Sequence, residues 1–269
     1  MRFLMFVLGL SVVCAIIYFT FLFWGKGRPI HSFDHSFDLK GKPYVILPWD
    51  SEMASTPENP RWSELQSKLK NKGGTLALWI DVYRDQSGSL KALPSQFRPA
   101  PLGKLHPEVK DQGVLLSEVI KKWGNGPYVL NVHSNVENID IQLTKEFESL
   151  PQAKALVQSE YDNVMLSTKT IRPLWSYGTS ASDRMRWMTY GSLGLIEAVN
   201  FKGDVYLSPL SVRSLPAIDS KIVTEVHRRQ QSVILGPLNT AADAEVALAL
   251  DADGYFVTSE EALAALKIF

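Results

Sequence analysis

The sequence predicts an α/β protein: a (β/α)8 TIM barrel preceded by one N-terminal transmembrane helix. Residues 3–24 carry no charged side chain, which indicates a membrane span. From residue 44 onward, short apolar runs alternate with stretches of helical periodicity. About eight such strand–helix units follow one another, which is typical of a parallel (β/α)8 barrel. An open doubly wound sheet is the alternative arrangement for this pattern.

Composition and charge limit the classes of partner. The chain has 269 residues, of which 28 are basic and 28 acidic, so its formal net charge is zero. Neutral charge without a basic run gives no reason to expect a nucleic-acid partner. A single cysteine, Cys14, excludes an intramolecular disulfide. Val13 stands where a lipoprotein signal needs a small residue, which argues against lipidation.

The first 25 residues have the features of a signal anchor. At about 1.5 Å per residue, the apolar run 3–24 is long enough to cross a hydrocarbon core of about 30 Å. No small-residue cleavage site follows it, although a cleaved signal peptide is the alternative. We therefore predict that residues 3–24 contact the membrane. The basic residues at 26–42 favour a cytoplasmic domain by the positive-inside rule. The short amino tail favours export, and we therefore expect a single-pass protein with an extracytoplasmic (periplasmic) domain.

A polar segment, residues 26–43, separates the predicted anchor from the barrel. It is rich in Gly and Pro and contains the tandem repeat HSFDHSFD at 31–38. Two His and two Asp at that spacing are one possible metal-binding set. A flexible juxtamembrane linker is the prediction, and residues 44–269 form the predicted barrel domain.

The barrel domain divides into strands and helices by hydrophobic periodicity. The predicted strands are 44–47, 75–82, 127–132, 163–168, 186–190, 204–209, 232–236 and 254–258. Trp62, Leu65 and Leu69 lie on one face of the helix after the first strand, and Asn59 followed by Pro60 predicts its start. Further apolar stripes predict helices near 115–123 and 218–226, and a polar helix spans about 137–149. Helices after 239 and 258 complete the chain.

The carboxyl ends of these strands are where a barrel carries its chemistry. The candidate pocket residues there are Trp49, Asp50, Glu58, Trp79, Asp81, His133 and Asn239. Carboxylates and an imidazole are ligands for a divalent cation, so Glu58, Asp81 and His133 form the candidate metal set. Each also has a structural explanation, as a helix cap or a hydrogen-bonded residue of the mouth. No strand is followed by a Gly-x-Gly-x-x-Gly motif or a P-loop, so a nucleotide site has no support.

Residues 44–269 resemble the glycerophosphodiester phosphodiesterase family, whose fold is a (β/α)8 barrel. The motifs that carry the resemblance are VILGPLNTAADAEVALALDADGYFVTSEEAL at 233–263, GVLLSEVI at 113–120 and PEN at 57–59. The resemblance implies a metal-assisted phosphodiester hydrolysis that uses two histidines.

The catalytic motifs of that family are altered in this sequence. By spacing, its His-Arg-Gly falls on Trp49, Asp50 and Ser51, and its second catalytic His falls near Pro94. No His lies between residues 49 and 105. The family's Glu-x-Asp keeps only Asp81, with Trp79 in place of the Glu. These departures predict that no intact catalytic set remains.

Three functions follow from this pattern. The first is a membrane-anchored pseudoenzyme that needs no cofactor and binds a lipid headgroup, a glycan or a protein partner. The second is an active hydrolase with a relocated site of Asp50, Glu58, Asp81 and His133, acting on a phosphodiester with Ca²⁺ or Mg²⁺, or on a glycoside. The third is a purely structural barrel.

Overall fold

The structure, a computed structural model, describes residues 2–24, 37, 43–54, 56–98, 112–212 and 214–267. The barrel domain in these residues contains eight parallel strands and the eight helices that follow them. The strands are β1 Tyr44–Pro48, β2 Thr75–Arg84, β3 Tyr128–Val132, β4 Ala155–Ser159, β5 Ser176–Tyr177, β6 Val205–Ser208, β7 Ser232–Leu238 and β8 Gly254–Val257.

The strands follow one another around the barrel in chain order. Parallel ladders join each neighbouring pair from β1 to β5 and from β6 to β8. The last strand returns to the first, with Tyr44 opposite Gly254. Closure of the last strand on the first excludes the open doubly wound sheet and confirms the predicted TIM barrel.

Between β5 and β6, side chains replace the strand ladder. In the described part of the chain these strands share no ladder. The amide of Asp204 donates to Tyr177 O at 2.7 Å, and the Asp204 carboxylate accepts from the Tyr177 amide at 3.0 Å. The Thr179 hydroxyl donates to Val205 O at 3.1 Å and accepts from the Leu207 amide at 2.8 Å. These bonds satisfy backbone groups that a ladder would otherwise pair.

The helices that pack outside the barrel are α2 Pro60–Asn71, α3 Leu116–Trp123, α4 Ile139–Glu146, α5 Asp162–Ile171, α6 Ala181–Ser192, α7 Ser220–Arg228, α8 Ala241–Ala249 and α9 Glu260–Ala265. α2 begins as predicted, because the Asn59 side chain accepts from the Arg61 amide and Pro60 occupies the first turn. The cap of α8 is Thr240, within a capping box closed by Asp243.

Two of the predicted strands are wrong. Residues 163–168 lie inside α5, where Val164 and Thr168 are buried four positions apart, and residues 186–190 lie inside α6. The true β4 is Ala155–Ser159, which is buried at every position and includes Gln158 and Ser159. β5 has only two residues and gives no periodic signal. The predicted number of strands was right although these two were displaced.

Inside the barrel, a second apolar cluster is separate from the core between barrel and helices. It includes Phe37, which is 2% exposed, and whose ring lies 5.0 Å from that of Tyr44. The Ser176 hydroxyl donates to Phe37 O at 3.1 Å. Phe37 therefore packs against the amino-terminal end of the barrel. The remainder of the predicted linker, residues 26–36 and 38–42 with His31 and His35, lies outside the described residues.

The N-terminal segment forms the predicted helix, α1, over Arg2–Trp24. The Tyr18 hydroxyl donates to Leu193 O at 3.3 Å, which connects α1 to the barrel domain. Among the residues that the structure describes, no helix reaches the length and apolarity required to cross a membrane. This finding contradicts the predicted transmembrane anchor and the single-pass localisation.

Candidate functional site

The candidate site lies at the carboxyl ends of β1, β2, β3 and β8, which open on one end of the barrel. We call six of its residues the mouth cluster: Trp79, Asp81, Arg98, Asn131, His133 and Phe256. Asp81 and Asn131 are directly opposite each other in the β2–β3 ladder. Trp79 lies two positions before Asp81, and His133 lies two positions after Asn131. Because side chains in a strand alternate with a period of two residues, all four point to the same face.

Asp81 is the centre of the mouth cluster. Its side chain is fully buried and accepts three hydrogen bonds. Arg98 Nε donates to Oδ2 at 2.6 Å, and Asn131 Nδ2 donates to Oδ1 at 2.8 Å. His133 Nε2 lies 2.9 Å from Oδ1. An ionised carboxylate can only accept, so His133 donates to Oδ1 in the tautomer that has its proton on Nε2. Arg98, Asn131 and His133 therefore surround the buried carboxylate of Asp81 with hydrogen-bond donors.

Arg98 determines the ionisation of Asp81. Burial by itself would raise the pKa of the Asp81 carboxyl, but the charge of the Arg98 guanidinium and the hydrogen bond from His133 outweigh it. The pKa of Asp81 is therefore held well below its ordinary value, and the carboxylate remains ionised at neutral pH. The result is a buried ion pair.

An aromatic stack lies beneath this pair. The Trp79 and Phe256 rings stack with centroids 4.1 Å apart and planes 10° from parallel. The Arg98 Cζ lies 4.6 Å from the Phe256 centroid and 5.8 Å from that of Trp79. A guanidinium over an aromatic face gains cation–π attraction. Arg98 is thus bound by a carboxylate on one side and by aromatic rings on the other.

A short segment, residues 94–98, carries Arg98 over the mouth, and we call it the strap. β2 continues beyond the barrel and turns back through an antiparallel partner, Leu90–Leu93. The turn after β1 holds the strap, because Asp50 Oδ2 accepts from the Ser95 amide at 2.7 Å and from the Ser95 hydroxyl at 3.0 Å. Trp49 Nε1 donates to Leu93 O at 3.1 Å. Trp49 and Asp50 therefore position the segment that delivers Arg98.

The predicted site residues separate into two groups. Asp81 and His133 meet directly, and Trp79 lies beneath them. Trp49, Asp50 and Pro94 belong to the strap and its attachment, with Pro94 preceding the short 3-10 helix Ser95–Phe97.

Glu58 and Asn239 do not enter the mouth cluster. Both are exposed, and the Asn239 side chain accepts from the Thr258 hydroxyl at 2.6 Å. Within the described ranges, no three His, Cys, Asp or Glu side chains are placed to hold a metal ion. The cation predicted on Glu58, Asp81 and His133 stays a prediction, for which the structure brings two residues of the three together.

Sequence reasoning missed three members of the mouth cluster: Arg98, Asn131 and Phe256. Asn131 had a signal, since it precedes His133 by two positions on a predicted strand and so shares its face. Phe256 is the corresponding inward position of β8. Arg98 had none, because it lies in an excursion outside the strand–helix pattern and reaches the mouth only through tertiary folding.

Comparison with known proteins identifies the fold. No family model matches the sequence, and no curated protein matches it. Among solved structures, a phosphodiesterase from Oleispira antarctica in complex with sn-glycerol-3-phosphate is similar, with 15% identity and a TM-score of 0.53 over 84% of this chain and 97% of that chain. A glycerophosphodiester phosphodiesterase from Parabacteroides distasonis ATCC 8503 gives 11% identity and 0.53 over 90% and 98%.

These similarities span the barrel domain and nearly the whole of each neighbour, but the identity is too low to transfer residue roles. They agree with the resemblance of the C-terminal motifs at 233–263. The chain has the (β/α)8 barrel fold of the glycerophosphodiester phosphodiesterases.

Proposed function

We propose that this protein is a non-catalytic barrel of the glycerophosphodiester phosphodiesterase fold, which acts as a ligand-binding or interaction module. The observation that supports this most is the state of Asp81. By spacing, it is the one metal-binding carboxylate that the sequence keeps, and both of its oxygens are engaged by Arg98, Asn131 and His133. A divalent cation would have to displace these donors.

The other catalytic positions support the same conclusion. Phosphodiester hydrolysis needs an acid and a base, and loss of each such group reduces the rate by about 10²–10⁴-fold. The first imidazole position carries Trp49, and the second lies near Pro94. Asp50, at the position of a phosphate-binding Arg, brings negative charge where an anionic substrate would approach. Its carboxylate instead holds Ser95.

The test is a hydrolysis assay on the purified full-length chain. Glycerophosphocholine and glycerophosphoethanolamine are supplied with millimolar Ca²⁺ or Mg²⁺, and released glycerol-3-phosphate is measured, with the Oleispira antarctica phosphodiesterase as the positive control. We expect the same background for the wild type and for Asp81→Ala. Turnover in the wild type that disappears in Asp81→Ala would overturn the proposal.

One contact favours a second candidate, a hydrolase with a relocated site. Asp81 orients His133 at 2.9 Å, and His133 is 10% exposed, which is the arrangement of a general base held by a carboxylate. Asp50 and Glu58 would not take part, because Asp50 is bonded to the strap and Glu58 is exposed. Screening phosphodiester and glycoside substrates with wild type and His133→Ala tests it, and equal rates would reject it.

A further inference from the structure

We propose that the barrel mouth is a binding pocket for a guanidinium cation, which the chain occupies with its own Arg98. The strap is then an autoinhibitory contact that competes with a guanidinium group from another molecule. This inference deepens the proposed function, because it assigns a chemical class of ligand to the mouth.

The pocket has the parts that recognise a guanidinium. The Asp81 carboxylate supplies a buried anionic acceptor at 2.6 Å from Arg98 Nε. The Phe256 ring supplies a flat apolar face at 4.6 Å from the guanidinium carbon. Guanidinium groups bind carboxylates through directed N–H bonds and stack on aromatic rings, and an ammonium group lacks the planar surface for stacking.

The pocket is prepared by residues other than Arg98. Asn131 and His133 bond Oδ1 of Asp81, so they orient the carboxylate and leave Oδ2 for the cation. Trp79 stacks at 4.1 Å under Phe256 and supports that ring. Because none of these contacts involves Arg98, we expect them to remain when its side chain is removed and to preserve a shaped site.

A contribution to stability does not by itself explain why the chain buries the Arg98–Asp81 ion pair. Removing two charges from water is costly, and buried ion pairs are often no more stable than apolar substitutes. Arg98 comes from the strap, outside the barrel strands, and the strap is held at Ser95 by Asp50. If the Asp50–Ser95 bonds are weakened, we expect Arg98 to leave the pocket and to return to it reversibly.

Tethering sets the order of affinities. An intramolecular group competes at an effective concentration in the millimolar range. An external guanidinium should therefore bind weakly to the wild type, more tightly to Asp50→Ala, whose strap has lost its bonds at Ser95, and most tightly to Arg98→Ala, whose pocket is vacant.

The experiment measures binding of n-propylguanidinium, which reproduces the end of an arginine side chain, to the full-length chain. At about 10 mM probe, with sodium chloride at equal ionic strength as the reference, we expect the Tm of Arg98→Ala to rise by about 2–4 °C. The wild type should change by less than about 1 °C. Arg61→Ala removes an exposed arginine paired with Glu64 and Glu260, and it should show no such rise.

The double variant Arg98→Ala/Asp81→Asn should lose the rise, because the acceptor carboxylate is gone. An equal rise in the double variant, or none in Arg98→Ala, would overturn the proposal. If Arg98→Ala does not fold, Asp50→Ala takes its place in the titration, because it weakens the attachment of the strap and leaves the pocket lining unchanged.

Calorimetry on Asp50→Ala gives an independent reading, and affinity no greater than that of the wild type would also contradict the proposal. The outcome is distinct from that of the hydrolysis assay. Hydrolysis by the wild type would contradict the proposed function but not the guanidinium pocket. A failed titration would contradict the guanidinium pocket but not the proposed function.

Discussion

At the scale of single residues, Asp81 determines the character of the mouth. It is the only carboxylate of the mouth cluster, and three donors satisfy it. The barrel carries its charge without exposure to water because Arg98 neutralises it at 2.6 Å. Such a pair contributes less than its short distance suggests, but removal of one partner leaves the other charge buried and uncompensated.

Substitution of Arg98 by Ala should therefore lower the free energy of unfolding by about 3–5 kcal/mol, because Asp81 stays buried without its cation. Urea denaturation measures this change. Arg61→Ala, whose ion pairs are exposed, should cost no more than about 1 kcal/mol. Equal effects of the two substitutions would mean that the Asp81 pair is not buried as described.

The pH dependence of stability follows from the same group. The pKa of Asp81 in the folded chain is lower than the unfolded value of about 3.8. Its contribution is therefore fully present above pH 3.8 and is lost as pH falls through the lower folded pKa. Thermal melts between about pH 6 and pH 2 should show a steeper loss of stability for the wild type than for Asp81→Asn. Parallel curves would contradict the assigned ionisation.

At the scale of elements, hydrogen bonds join the strap to the turn after β1, and both segments lie where the family resemblance predicts catalytic side chains. The turn after β1 carries Trp49 and Asp50, and the hairpin after β2 carries Ser95. Spacing predicted that these positions lack catalytic side chains. It did not predict that they bond to one another, because that pairing depends on an excursion without periodicity.

Loss of the Asp50 carboxylate should release the strap. We expect amide hydrogen exchange at Ser95 to be at least about tenfold faster in Asp50→Ala, since a hydrogen bond to a charged group contributes about 1.5–3 kcal/mol. Exchange of peptides covering 90–98 measures this by mass spectrometry. Asn239→Ala changes an exposed residue of another loop and serves as the control. Unchanged exchange in Asp50→Ala would show that Asp50 does not hold the strap.

The Thr179 hydroxyl makes two of the hydrogen bonds at the junction of β5 and β6. Thr179→Val keeps the shape of the side chain but leaves Val205 O and the Leu207 amide without their bonds. The free energy of unfolding should fall by about 2–3 kcal/mol. Thr170→Val, exposed on α5, should change it by about 0.5 kcal/mol or less. Equal effects of the two substitutions would mean that the hydroxyl does not replace the ladder.

At the scale of the whole molecule, the sequence predicted the barrel better than its boundaries. Six strands were placed correctly, because buried runs such as 75–82 and 232–236 are apolar at nearly every position. β4 was missed since Gln158 and Ser159 interrupt its apolar run, and the apolar face of α5 replaced it. The membrane span predicted from residues 3–24 is not supported, since the described residues contain no helix that meets the requirement.

The candidate site was predicted only in part for a physical reason. Residues on parallel strands converge by topology, and Asp81 and His133 lie side by side at one end of the barrel. Arg98 arrives from a loop, and its position depends on the Asp50–Ser95 bonds and on the aromatic stack. The residues at the strand ends alone therefore did not predict that the positive charge beside Asp81 belongs to Arg98 and not to a divalent cation.

The Asp81 carboxylate is bonded to Arg98, and we propose that it is therefore not available to a divalent cation. A crystal structure of the full-length chain grown with millimolar Mn²⁺, with anomalous scattering recorded at the metal edge, tests this most directly. We expect Arg98 Nε within hydrogen-bond distance of Asp81 and no anomalous peak in the mouth. A peak within about 2.5 Å of an Asp81 oxygen, with Arg98 displaced, would contradict the claim.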